Sequence, residues 1–136
     1  MFERIVYDAL NARQKENYNY HKVSALLADY GFTTLRLSDD WQGADFIAQH
    51  IGGRQFLKVQ LKGRLYFGKK YMGKELFVAF QEGGQWFLYP HDELFDEVKL
   101  IVKIEQSGAW EKEGDYHFPS VPARIMPILE KYKLGA

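Results

Sequence analysis

Three side chains in this sequence have the types and spacing to do chemistry together: Asp45, Gln60 and Lys62. A hairpin brings them within reach of one another. The stretch FLKVQLKGR, residues 56–64, alternates apolar Leu57, Val59 and Leu61 with polar Lys58, Gln60, Lys62 and Arg64. This is the period-two pattern of a strand with one buried face. ADFIAQHI, residues 44–51, reads as the preceding strand, and Gly52-Gly53 as the turn between them. With those glycines as the loop, Ile51 faces Arg54, Ala48 faces Leu57, Phe46 faces Val59 and Ala44 faces Leu61. The apolar residues of both strands then share a face, which a one-residue slip would mix. The same register sets Asp45 opposite Gln60, with Cβ atoms about 4.5–5.5 Å apart.

That separation suits two oxygen ligands on one cation. Magnesium takes hard oxygen ligands, often only one or two of them side chains, with water and phosphate completing its octahedron. Asp45 offers a charged oxygen and Gln60 a neutral amide oxygen. Lys62, two residues on, points to the same face. Its ammonium would orient an attacking water or stabilise charge developing at phosphorus. A plain cross-strand hydrogen bond between Asp45 and Gln60, with a solvated Lys62, is the competing reading.

The pattern GAD at 43–45, fourteen residues, then QLK at 60–62 resembles the PD-(D/E)XK nuclease superfamily. HKVSALLADYGFTTLRLS is similar to that family's first helix and strand. GKELFVAFQEGGQWFLYPHDEL is similar to the following hairpin in branches related to Holliday-junction resolvases and intron-type homing endonucleases. The resemblance spans roughly residues 15–100. It implies a restriction-endonuclease-like α+β domain (α/β/α layered) whose central sheet is mixed or mainly antiparallel and flanked by helices. It implies metal-dependent hydrolysis of DNA with magnesium or manganese, RNA remaining open as a substrate. Asp45 then matches the metal-binding Asp, Gln60 the second ligand, the backbone carbonyl of Leu61 a third, and Lys62 the catalytic Lys. The sequence departs from the family twice. Gln60 stands where most members have an acid, as it does in some metal-dependent members. The region NYNYHK lacks the first-helix Glu, with Glu16 the nearest acid upstream. Both departures lower the negative charge of the site. The alternative is a catalytically inactive nuclease fold that binds DNA or another protein; a third reading is a structural α+β protein.

The charge distribution bears on the partner. Formal net charge is zero, which argues against a generally sticky nucleic-acid binder. From Phe46 to Lys74, however, there are seven Lys or Arg and no Asp or Glu. From His91 to Asp115 there are eight acids against three lysines. The basic segment could face a polyanion. Lys58, Arg64, Lys69, Lys70 and Lys74 would hold the backbone, and Tyr66, Phe67 and Tyr71 between them would stack on bases. The competing reading is an exposed loop whose aromatics fold back onto the core. His21, His50, His91 and His117 have no ligand spacing. The chain has no cysteine, which excludes disulfides and thiolate chemistry and is compatible with a cytoplasmic location. The N-terminal twenty residues read as neither a signal peptide nor a membrane span.

The 136 residues fit a single domain, 1–136. Such a small catalytic domain would cut two strands as a homodimer. Phe2, Ile5, Val6 and Ala9 stand at helical spacing, as do Val23, Leu26, Leu27 and Tyr30, with Gly31 as a C-terminal cap. QKENYNY between them is either a break or part of one long helix. Strands are predicted over 33–38, 44–51, 54–65, 76–81 and 85–91, with 39–43 a turn or loop. A helix follows over 91–100 and a last strand over 101–106. Residues 107–120 read as a loop anchored by Trp110 and Phe118. Ser120 is expected to cap a terminal helix over 122–133, kinked at Pro127.

Overall fold

The computed structural model describes residues 1–135. Helix α1, Ala12–Ala28, begins where Asn11 accepts the Gln14 N–H while the Gln14 side chain returns a bond to the Asn11 N–H. This reciprocal cap satisfies two of the donors that a helix start leaves free. QKENYNY lies inside α1 without a break. Strands β1 (Phe32–Trp41), β2 (Ala44–His50) and β3 (Phe56–Leu61) follow. Then come β4 (Leu65–Gly68), β5 (Leu76–Glu82), β6 (Gln85–Pro90) and helix α2 (His91–Val98). The chain closes with α3 (Gly108–Glu113), β7 (Asp115–Phe118), α4 (Met126–Leu129) and β8 (Lys133–Leu134).

Six strands form one sheet in the order β1-β2-β3-β5-β6-β8. All pairs are antiparallel except β3–β5, so the sheet is mixed and the protein is α+β. The β2–β3 register is the expected one, with Phe46 opposite Val59 and Ala48 opposite Leu57. β5 and β6 turn through Gly83 and Gly84, at φ 58° and 82°, the left-handed pair that a two-residue hairpin needs. α1 buries Val23 and Leu27, one helical turn apart, against Phe46, Ala48, Val59 and Ala79. The larger core lies on the other face, where Leu94, Phe95 and Val98 of α2 meet Val78, Phe80 and Tyr89.

Six expectations change. The loop expected over 39–43 narrows to Gln42 and Gly43, because β1 runs on to Trp41 and pairs there with Ala44. Residues 2–10 are not a helix: only Tyr7–Ala9 makes a single 3-10 turn, and Phe2, Ile5 and Val6 are exposed. Their spacing lacks a surface to bury against, and packing is what stabilises short helices. The strand expected over 54–65 divides. β3 ends at Leu61, and β4 joins a second, two-stranded sheet with β7. Residues 101–106 make turns rather than a strand. Val102 and Ile104 are buried, but their N–H groups bond locally to Val98 and Val102. The expected loop 107–120 holds α3, capped by the Ser107 hydroxyl and closed by Gly114 at φ 77°, and then β7. The terminal helix shrinks to α4. Pro127 sits in its first turn, where the missing N–H costs nothing, and β8 follows to pair with β6.

Tyr89, fully buried on β6, ties the two sheets together. Its hydroxyl donates to the Tyr66 carbonyl at 2.6 Å and accepts the Tyr66 N–H at 3.1 Å. Removing it orphans two buried backbone groups. Tyr89→Phe is expected to destabilise by about 2–3 kcal/mol, measured as a lowered urea midpoint with an unchanged slope.

Candidate active site

The β2–β3 ladder stops at Phe46–Val59, although β3 runs on to Leu61. Beyond that point a side chain replaces the strand partner: the Asp45 carboxylate accepts the Leu61 N–H at 2.9 Å. Gln60 is only 9% exposed. Its amide nitrogen donates to the Leu61 carbonyl at 3.2 Å, and its buried Oε1 has no hydrogen-bond partner. An unsatisfied buried acceptor costs about 1–3 kcal/mol, and an oxygen left in this state marks a place of strain or function.

Lys62 lies just past the strand end, its N–H bonded to the Ala79 carbonyl. Its ammonium sits 4.2 Å from the Tyr66 ring centroid and 5.5 Å from that of Tyr71. Burial and the nearby Lys70 lower its pKa, against the pull of Asp45, Asp115 and Asp40. Burial raises the Asp45 carboxyl from 3.8 to about 6. The Leu61 N–H opposes that rise, and the charges of Asp40 and Glu16 add to it.

Asp45 and Lys62 are half-buried, and Lys62 borders an open cleft. The cleft, of about 280 Å³, is lined by Tyr7, Lys15, Glu16, Asn19, Leu61 and Lys62. Glu16 also borders a second cleft, of about 530 Å³, with Arg13 and Arg36. Sequence reasoning passed over Lys15, Arg13 and Arg36, because α1 and β1 come together only in the fold. Glu16 is exposed and reaches Arg36 at 3.4 Å. It is close enough for its charge to act on Asp45.

The basic segment divides in two. Lys69 and Lys70 are exposed, their ammoniums over the rings of Trp110 and Tyr71. Lys58 is half-buried beside Trp41, Lys74 is half-buried, and exposed Arg64 donates to His117 Nδ1 at 3.2 Å. The expected stacking platform is absent: Tyr66, Phe67 and Tyr71 are buried in the main core. The Tyr66 hydroxyl donates to Asp115 at 3.0 Å, and burial with this bond raises its pKa to about 12. His91 is structural, accepting the Gly68 N–H. Among the described residues no three His, Asp or Glu side chains gather closely enough to hold an ion by themselves. No described helix is long and apolar enough to cross a membrane.

No family model and no curated protein sequence matches the chain. Among solved structures it is similar to a Holliday junction resolvase from the archaeal hyperthermophile Archaeoglobus fulgidus. The identity is 20%, over 57% of this chain and 74% of that one, with a TM-score of 0.47. It is also similar to a bacterial homing endonuclease, at 14% identity over 90% of this chain and 95% of that one, with a TM-score of 0.48.

A carboxyl whose folded-state pKa is raised contributes stability below its unfolded value and loses it as pH rises through the folded one. Asp45 therefore weakens the protein as pH rises from about 4 to about 6. Asp45→Asn keeps an acceptor for the Leu61 N–H but carries no charge. In a chelator it is expected to be more stable than the parent near pH 7.5 by about 1–2 kcal/mol, after allowance for solvent screening. Near pH 4 the difference vanishes. Urea titrations across that range measure it.

Proposed function

We propose that this protein is a divalent-metal-dependent endonuclease that hydrolyses DNA phosphodiesters. The observation that carries the reading is the buried, unpartnered Gln60 Oε1, one residue from the Leu61 N–H that the Asp45 carboxylate accepts and two from Lys62, which borders an open cleft together with Lys15 and Glu16. Hard oxygen donors of this kind fit magnesium or manganese. Asp45 and Gln60 would hold the ion. The Leu61 carbonyl would join them only if the Gln60 amide turned away from it. When bound, such an ion supplies Lewis-acid stabilisation at phosphate and a more acidic attacking water.

The chain's own groups do the rest. Lys62, half-buried and with a lowered pKa, orients the attacking water and stabilises negative charge on the phosphate oxygens. Lys15, Arg13 and Arg36 on one side, and Lys69 and Lys70 on the other, hold the nucleic-acid backbone by contacts that carry little sequence information. DNA is preferred over RNA on the resemblance of the GAD–QLK pattern and its flanking elements. A domain of this size would cut both strands as a homodimer.

Supercoiled plasmid with magnesium or manganese tests the activity. Asp45→Ala and Lys62→Ala are each expected to lower the cleavage rate by roughly 100-fold or more; cleavage that survives both removes this site from consideration. Salt-dependent DNA retention without cleavage by the parent protein would instead establish an inactive binding module. A labelled RNA of the same sequence decides the choice of nucleic acid. Gln60→Glu is expected to keep the fold and tighten manganese binding by roughly tenfold, and calorimetry showing no gain would count against Gln60 as a ligand.

A further inference from the structure

One carboxylate that reads as part of a loop in the sequence lies against this site. β1 runs on to Trp41, and only Gln42 and Gly43, both at positive φ, separate it from β2. Trp41 pairs with Ala44. Counted one step back from that pair, Asp40 falls level with Asp45 at the edge of the shifted register, and its side chain is near enough to hydrogen-bond with Asp45. Counted one step on from Phe46–Val59, the last pair of the β2–β3 ladder, Asp45 falls level with Gln60. On that count Asp40, Asp45 and Gln60 form a row across the ends of the β1–β2 and β2–β3 ladders.

An irregularity in β1 makes this arrangement. The register shifts between Arg36 and Trp41. Had the Arg36–Phe46 pairing continued unbroken, Leu37 would face Asp45. The bulge substitutes a carboxylate for that leucine, and bulges beside functional sites commonly re-aim side chains in this way. Opposed like charges destabilise a strand pair. Among the described residues neither Asp40 nor Asp45 forms an ion pair, and the Lys62 ammonium lies over the Tyr66 ring. The buried Gln60 amide, next in the row and nine-tenths covered, independently presents an oxygen with no partner. The Leu61 carbonyl is meanwhile taken by the Gln60 nitrogen, so an ion at Asp45 and Gln60 lacks one protein oxygen.

Resting on the metal-dependent reading above, we infer that Asp40 is a second carboxylate ligand of the divalent cation, replacing the acid absent at position 60. The ligand set is then two carboxylates and one amide drawn from three adjacent strands. Asp39, exposed on the same strand, is the natural control.

Manganese binding to the full-length protein, read as loss of the free-ion paramagnetic resonance signal, tests this without reference to cleavage. Asp40→Asn is expected to weaken binding roughly tenfold or more, Asp39→Asn to leave it within about twofold, and Asp45→Asn to abolish it. Binding by Asp40→Asn equal to the parent, with Asp45→Asn silent, overturns the role of Asp40 and leaves the site standing. Equal binding by the parent and Asp45→Asn, or none by either, overturns both. Because the chain has no cysteine, Asp40→Cys introduces a single thiol. Cadmium is expected to produce an ultraviolet thiolate-to-metal band with it that Asp39→Cys does not show. Absence of that band overturns direct ligation.

Discussion

Where β2 and β3 cease to pair, a carboxylate takes over from a backbone carbonyl, and the rest of the site follows from that exchange. The Leu61 N–H needs an acceptor, and Asp45 supplies it. This pulls a charged group into a half-buried place, raises its pKa, and holds one of its oxygens in a defined position. The adjacent Gln60 turns its nitrogen to the Leu61 carbonyl and is left with a bare oxygen. Both arrangements cost folding free energy, and unrelieved polar burial of this kind concentrates at functional sites.

The walls of the cleft depend on packing some distance away. Lys62 keeps its place because Tyr66 and Tyr71 stand beneath its ammonium, and a cation over an aromatic face is favourable. Those rings are themselves held inside the large core. Tyr89 clamps the Tyr66 backbone, Asp115 of β7 takes the Tyr66 hydroxyl, and His91 holds Gly68 at the end of β4. The basic segment is therefore rigid where it meets Lys62 and exposed at Lys69 and Lys70. On the opposite wall α1 contributes Lys15, Glu16 and Asn19 through its packing against β1–β3.

Local signals were readable wherever a short stretch decides its own geometry. The β2–β3 register followed from strand alternation and a glycine turn, and Gly83-Gly84 marked the second hairpin, because such turns require left-handed backbone. The same kind of signal misled where no partner surface exists. Phe2, Ile5 and Val6 have helical spacing and nothing to cover them. Val102 and Ile104 look like strand residues but are buried from a turn. Asp40 was hidden because counting back from the Gln42-Gly43 turn requires β1 to reach Trp41, and the bulge that carries it there has no mark in the sequence.

The sequence by itself determined the helix–strand order over residues 20–61 and 76–98, the pairing of β2 with β3, and hence the neighbourhood of Asp45, Gln60 and Lys62. These depend on periodicity and turn chemistry, which act over a few residues. Tertiary structure alone decided that Tyr66 and Tyr71 face inward, that α1 brings Lys15 and Glu16 to the cleft beside Lys62, and that Asp40 stands near Asp45. Each of these joins segments whose proximity depends on how the sheet is covered and where its ladders break. Burial and backbone hydrogen bonding settle those matters across the whole fold.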